Sequence, residues 1–427
     1  MQMSRWSMQQ LLRAGEVMYA TTTLFLLTQG PVYRLWSMSA TYVPISPQPS
    51  VLHVYFATFT AAQIPALVIL SRNINSTTFQ ARSFRCLVGL VSWLGLSLFW
   101  SMFARQSVPE FVALVMTTCF GVYLATRFTS TVIWWIVAVA MLLGMLLSGF
   151  AIWKNWDLAT SVEEGYWAGI YFNRNSLAPV AAVALVATVG VFANSLKMSG
   201  VRRTLIVAFC VFTSFFAITL MAGARSRTSP FALSVAVIVV LVWKTSHWFV
   251  ARSSRISQWR VHSLPVTVLV VGVAVFLVIR VVGGLLSVSG KTATFNSRGA
   301  LWSVSWTGFL EKPLHGWGWM AAWRTPDFFR QGEWWELWNT EWSHNGYHDI
   351  LLGGGIPAAV LFAGFLWFGL REVGSKLPQS ESLATVLLVG FVLTAATQES
   401  FFIGSHFLWA LLIAGLSVPF AQSLRSG

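Results

Sequence analysis

Apolar residues along this chain come in runs of about twenty, the length that crosses a bilayer core as a helix, each run closed where charges, Pro or Gly cluster. The breaks predict twelve helices, over residues 16–35, 51–70, 85–104, 109–126, 130–153, 175–196, 204–222, 230–250, 264–286, 350–370, 382–398 and 402–420. The expected fold is therefore an all-α integral membrane protein of about twelve transmembrane helices. Helices 1–9 with short loops occupy residues 1–286, one long extracytoplasmic loop with short helices fills 287–349, and the last three helices lie in 350–427.

Composition agrees with the pattern. The 427 residues are 56% hydrophobic and only 10% charged, with a mean hydropathy of +0.66, which excludes a set of soluble domains. The net charge of +14 would suit nucleic acid in a soluble protein, but here it reports orientation. Sixteen Lys and Arg against three acids fall on the side that holds both termini, and twelve against eleven on the other. The positive-inside bias puts both termini in the cytoplasm and leaves nucleic acid without a role. At the start, Arg5 and Arg13 precede an apolar stretch with no small-residue cleavage site, the pattern of a retained signal anchor. Cys86, Cys119 and Cys210 lie inside apolar runs with no CxxC, so they read as small core residues.

Two outer segments stand out, 154–174 and above all 287–349, which carries nine of the 23 tryptophans. Residues 300–310 and 333–342 read as short amphipathic helices within it, and the tryptophans as an interfacial belt or as sugar-stacking rings. Around these segments, arginine runs against the charge bias: Arg225 and Arg227 in MAGARSRTSP, Arg298 in FNSRGALW, and Arg174 beside Asn175 in GIYFNRNSLAP. A guanidinium offers a planar fork of donors matched to phosphate oxygens and keeps its charge at a membrane surface. Several together would hold a diphosphate; singly, each would serve equally as a snorkelling or headgroup-pairing side chain.

His344 and His348 fall four residues apart in EWSHNGYHDILLGGGIP. That spacing suits zinc, but HNGYH lacks the glutamate of HExxH, so no metal and no cofactor is expected. A neutral imidazole instead accepts a proton from an attacking hydroxyl, with Asn345 orienting it or binding substrate. Glu399, an acid at a span end, reads as a functional group, a helix cap or an arginine partner. GLLSVSGKT has one residue too many for a P-loop, and the three aspartates are too scattered for a metal-bridged nucleotide-sugar site.

Together these segments resemble the O-antigen ligase and O-antigen polymerase superfamily of bacterial membrane glycosyltransferases. The resemblance rests on LSLFWSMFARQSVPEFVAL, GIYFNRNSLA, GARSRTSP, NSRGALWSVSWTGFLEKPLHGWGW and EWSHNGYHDILLGGGIP, in that order. It implies an enzyme of the bacterial inner membrane that moves a glycan from a polyprenyl-diphosphate donor to a saccharide or glycolipid acceptor on the extracytoplasmic face, without metal or nucleotide. It further implies that Arg227 and Arg298 hold the diphosphate, with Arg225 and Arg174 as further candidates, and that His344 is the catalytic base. Asn175, Trp317 and Trp319 fall on motif positions that shape the site, and with Asn345 and His348 they are the substrate-binding candidates. One departure is that Asn175 stands among Asn173 and Arg174, where the family often has His or Lys. In-line displacement on this plan inverts the anomeric carbon. Ligase and polymerase differ only in acceptor. A lipid-linked glycan transporter or flippase is the alternative from another class, although polar residues here gather at the outer face rather than the midplane.

Overall fold

The computed structural model describes residues 7–37, 49–73, 80–157, 159–161, 165–252, 257–288, 298–325 and 342–425. In chain order its helices are α1 (Met8–Leu27), α2 (Gly30–Ser37), α3 (Pro49–Asn73), α4 (Arg82–Leu96), α5 (Ala104–Arg127), α6 (Ser130–Trp153), α7 (Arg174–Ser195), α8 (Gly200–Ala224), α9 (Thr228–Arg252), α10 (Ser263–Val288), α11 (Arg298–Glu311), α12 (Gly346–Lys376), α13 (Gln379–Ala395) and α14 (Phe407–Arg425). Among the described residues there is no sheet, only an isolated bridge between Thr160 and Trp167.

Eight helices, α4 to α10 and α12, are long and apolar enough to cross a membrane, which makes this a multi-pass membrane protein. Two more apolar stretches, Glu381–Ala395 and Phe407–Pro419, fall short of that length. The first expected span is divided: Gln29 takes a left-handed φ of 71° between α1 and α2, and Pro31 in the first turn of α2 has no N–H to continue a helix from before it. The short helix expected over 300–310 is α11, whereas residues 333–341 lie outside the described residues.

The chain divides into two compact units, Met1–Gln63 with Arg127–Pro230, and Ile64–Thr126 with Phe231–Gly427. In the first, α7 is nearly all Ala, Val and other small residues, and its middle is buried. Small side chains let helix backbones approach closely where lipid gives no hydrophobic drive. Gly190 shows the limit of that approach, since a Cβ there would lie 2.4 Å from the Trp134 ring. Tyr171 is fully buried just before α7, its hydroxyl donating to Thr28 Oγ1 (3.3 Å), and burial pushes its pKa up.

In the second unit α12 is broken near its N-terminal end. Gly355 has φ 65° and ψ −160°, a conformation open only to glycine, and a Cβ there would meet Pro313 O at 2.6 Å. The groups freed by the break are each used. Leu352 O accepts from Trp317 N (2.7 Å), Gly354 O from Trp93 Nε1 (2.7 Å), and Ile356 N donates to Pro313 O (2.8 Å). Irregular backbone at membrane depth is tolerated where protein satisfies it, so GGGIP is a docking point for the segment after α11. Trp319 N donates to Ser97 Oγ (2.9 Å) just past α4. Leu301, Trp317, Ala322, Trp323 and Leu352 form a core, so Trp317, Trp319 and Trp323 are buried packing residues, while Trp306 and Trp342 stay exposed.

Candidate active site

The second unit gathers three functional groups from points far apart in sequence. α12 begins at Gly346 because Asn345 caps it, its Oδ1 accepting from Tyr347 N (3.1 Å) and His348 N (3.3 Å). Immediately before the cap, His344 holds a left-handed φ of 49°, an uncommon state for a residue with a Cβ. Ser343 supports it from behind: its N (3.0 Å) and Oγ (2.6 Å) both donate to the buried Asp349 Oδ1. Gly346 N donates to Ala396 O (2.9 Å) and Glu399 O (3.2 Å), which ties the cap to the turn after α13. That turn presents Glu399.

Glu399 bridges the other two groups. Its Oε1 accepts from Arg298 Nη2 (2.5 Å), at the first turn of α11, and its Oε2 lies 2.8 Å from His344 Nδ1. Burial pushes the Glu399 carboxyl up, but the hydrogen bond and charge of His344, then those of Arg298, outweigh it and hold the group below the ordinary glutamate value of 4.5. An ionised carboxylate can only accept, so Nδ1 is the donor in this contact. Trp342 stands edge-on to the imidazole at 6.2 Å between ring centroids. Arg298 is 9% exposed, and its Nε is buried with no partner among the described residues. Nearby, His406 is held neutral by burial, its pKa pushed down to about 3.

The first unit holds the other predicted residues. Asn173 caps α7, accepting from Asn175 N (2.9 Å) and Ser176 N (3.1 Å). Asn175 Oδ1 in turn accepts from Ser226 Oγ (3.1 Å), which seats the Arg225–Ser226–Arg227 turn on the α7 N-terminus. Trp167 N donates to Gly223 O (2.9 Å), so the 165–169 segment covers the end of α8. Arg174 lies over the Tyr166 ring at 4.8 Å. Arg225 and Arg227 are exposed. Arg174, Asn175, Arg225 and Arg227 thus share one end of this unit, as Arg298, His344 and Glu399 share one end of the other.

Trp317 donates its Nε1 to Gly308 O (2.8 Å), and Lys312 Nζ sits 3.8 Å over its ring. With Trp319 it fixes the segment that follows α11. His348 lies one turn into α12 with its Nδ1 buried. Among the described residues no group of three or more His, Cys, Asp or Glu is placed to hold a metal. The sequence singled out Glu399 but not the Ser343–Asp349 pair behind His344, for which the six-residue spacing is a weak signal. It also missed Glu110, whose Oε1 lies 3.7 Å from Arg324 Nη2.

An all-helical, multi-pass membrane protein with a carboxylate-linked imidazole and arginine at the start of a spanning helix is the class that the described residues define. The family model described as O-antigen ligase matches residues 212–363, so the chain carries an O-antigen ligase family domain there. No curated protein matches the chain. The matched stretch contains Arg225, Arg227, Arg298, Trp317, Trp319, His344, Asn345 and His348, and leaves out Arg174, Asn175 and Glu399. The domain implies glycan transfer of the ligase or polymerase type, on lipid-linked glycan substrates.

Proposed function

We propose that this protein is a metal-independent, inverting glycosyltransferase that moves a glycan from a polyprenyl-diphosphate donor to an acceptor hydroxyl on the extracytoplasmic face of the bacterial inner membrane. The observation that carries the reading is the His344 Nδ1–Glu399 Oε2 contact at 2.8 Å. With Nδ1 held by the carboxylate, Nε2 is the nitrogen that takes the acceptor proton while the acceptor oxygen attacks the anomeric carbon. The bond from that carbon to the diphosphate oxygen breaks on the opposite side, and polyprenyl diphosphate leaves with the electron pair. Arg227, Arg298, Arg225 and Arg174 take the diphosphate charge, a task for fixed cations that needs no metal. Asn175 seats the turn that carries Arg225 and Arg227, Asn345 caps the helix that follows His344, and Trp317 and Trp319 hold the backbone after α11.

Transfer to a lipid anchor and addition to another repeat unit use the same machinery; we favour the ligase reading, with the polymerase as alternative. The test is a reconstituted assay with a polyprenyl-diphosphate glycan. Release of polyprenyl diphosphate and an inverted linkage by NMR are expected, with His344→Ala lowering turnover by about 10³-fold, within the usual range for a general base. Relocation of intact donor without release would make the protein a flippase. A retained linkage would rule out in-line displacement.

A further inference from the structure

Past its break at Gly355, α12 continues unbroken to Lys376, about 31 Å at 1.5 Å per residue and enough for the roughly 30 Å hydrocarbon core. The Gly374–Leu377 end therefore lies at the membrane face opposite the break, beyond which the His344 cluster stands. At that second end there is a cavity of about 830 Å³, lined among others by Trp243, Lys244, His247 and Trp248 of α9, Arg260 of the turn before α10, and Ser375. Its cations are built in rather than scattered. Arg260 Nε donates to His247 Nε2 (2.8 Å), so the imidazole acts as an acceptor that fixes the guanidinium. Its other nitrogen then carries the proton and faces Ser263 Oγ at 3.5 Å, and the same hydroxyl accepts from Trp243 Nε1 (3.3 Å). Lys244 and Arg260 are exposed, and no carboxylate stands among the described lining residues. The wall is indole: Trp243 is buried and Trp248 is 49% exposed at the end of its helix, the depth at which headgroups and tryptophans meet.

We propose that this cavity binds the phosphodiester headgroup of an anionic glycerophospholipid from the leaflet opposite the active site. By the charge bias of the chain that leaflet is the cytoplasmic one. Lys244 and the free edge of the Arg260 guanidinium contact the phosphate oxygens, as basic pockets between membrane helices do, and the two indoles cover the glycerol. The volume fits a headgroup with its backbone, and is larger than a bare phosphate needs.

The test uses the full chain in neutral detergent, with lipid binding read by native mass spectrometry and by melting. Phosphatidylglycerol, phosphatidylcholine and inorganic phosphate are the three probes. The expected result is retention of phosphatidylglycerol over phosphatidylcholine, with no protection by millimolar phosphate. Lys244→Gln with Arg260→Gln should weaken retention about 30-fold, taking about 1 kcal/mol per cation near the surface, while Arg202→Gln with Arg203→Gln should not. If the pair fails to fold, Lys244→Gln alone is read, with about fivefold expected. Equal retention by the pocket variant and the wild type would overturn the site. Displacement of the lipid by phosphate, or equal retention of phosphatidylcholine, would overturn the lipid as its occupant.

Discussion

The two arginine-bearing ends of this protein solve opposite problems. In the second unit Arg298 is buried and bound to Glu399, which also holds His344. In the first, Arg225 and Arg227 stand exposed on a turn seated by Ser226 and Asn175. A buried cation needs its partner, because desolvation is recovered only through pairing. An exposed guanidinium keeps its fork for oxygens that arrive from outside. The comparison divides the proposed work: Arg298 holds the geometry of the base as well as meeting phosphate, while Arg227 is a charge for the leaving group alone.

Substituting the two arginines tests that division most directly. Arg298→Ala strands a buried carboxylate and should cost about 3–5 kcal/mol of stability as well as turnover. Arg227→Ala should leave melting unchanged and lower turnover by about 10²-fold, the usual cost of one charge-stabilising contact. Replacing Arg298 and Glu399 together by leucine should recover most of the lost stability but none of the turnover. Melting curves beside the reconstituted assay check all three. Equal losses of stability for Arg227→Ala and Arg298→Ala would erase the distinction.

Much of this arrangement was legible in the residues. Runs of apolar residues mark α5 to α10 to within a few positions, because lipid leaves the helix as the only economical state of such a segment. The arginines and His344 declared themselves by residue type at unusual places. Other features were hidden for physical reasons. The α1–α2 break depends on a left-handed Gln29, which no hydrophobic pattern encodes. GGGIP falls inside the helix expected over 350–370, and its break appears only where Trp317 and Trp93 supply partners for its carbonyls. Glu399 was marked as an acid with several uses, but the arginine it pairs with lies 101 residues away, and periodicity carries no information at that range. Trp317, Trp319 and Trp323 read as interfacial rings, yet the outer segment has a core of its own to fill.

The bridge at Glu399 also sets a pH dependence that the exposed arginines lack. Its folded pKa lies below the ordinary 4.5, so the stability it contributes is present above that value and is lost as pH falls through the folded pKa. The melting difference between wild type and Glu399→Gln should therefore hold steady from pH 8 to 5 and shrink only in more acid solution. A difference that fades between pH 7 and 5.5 would assign the titration to another group. Glu399→Gln should also lower turnover by about 10²-fold at neutral pH, because the neutral amide no longer stabilises the imidazolium and its NH2 can face Nδ1 and favour the other tautomer.

The smallest effect expected is none. If fixed cations do the work at both ends, adding EDTA to the reconstituted assay leaves turnover unchanged. The donor set supports this on its own chemistry: His344 Nδ1 is engaged by Glu399, and two histidines with one carboxylate already bound to arginine make a poor zinc site. Inhibition by EDTA, reversed by zinc and absent in His348→Ala, would turn the i, i+4 histidines into ligands. Arg298 would then serve only to hold Glu399, and the contrast between the two ends would become one between a metal centre and a phosphate clamp.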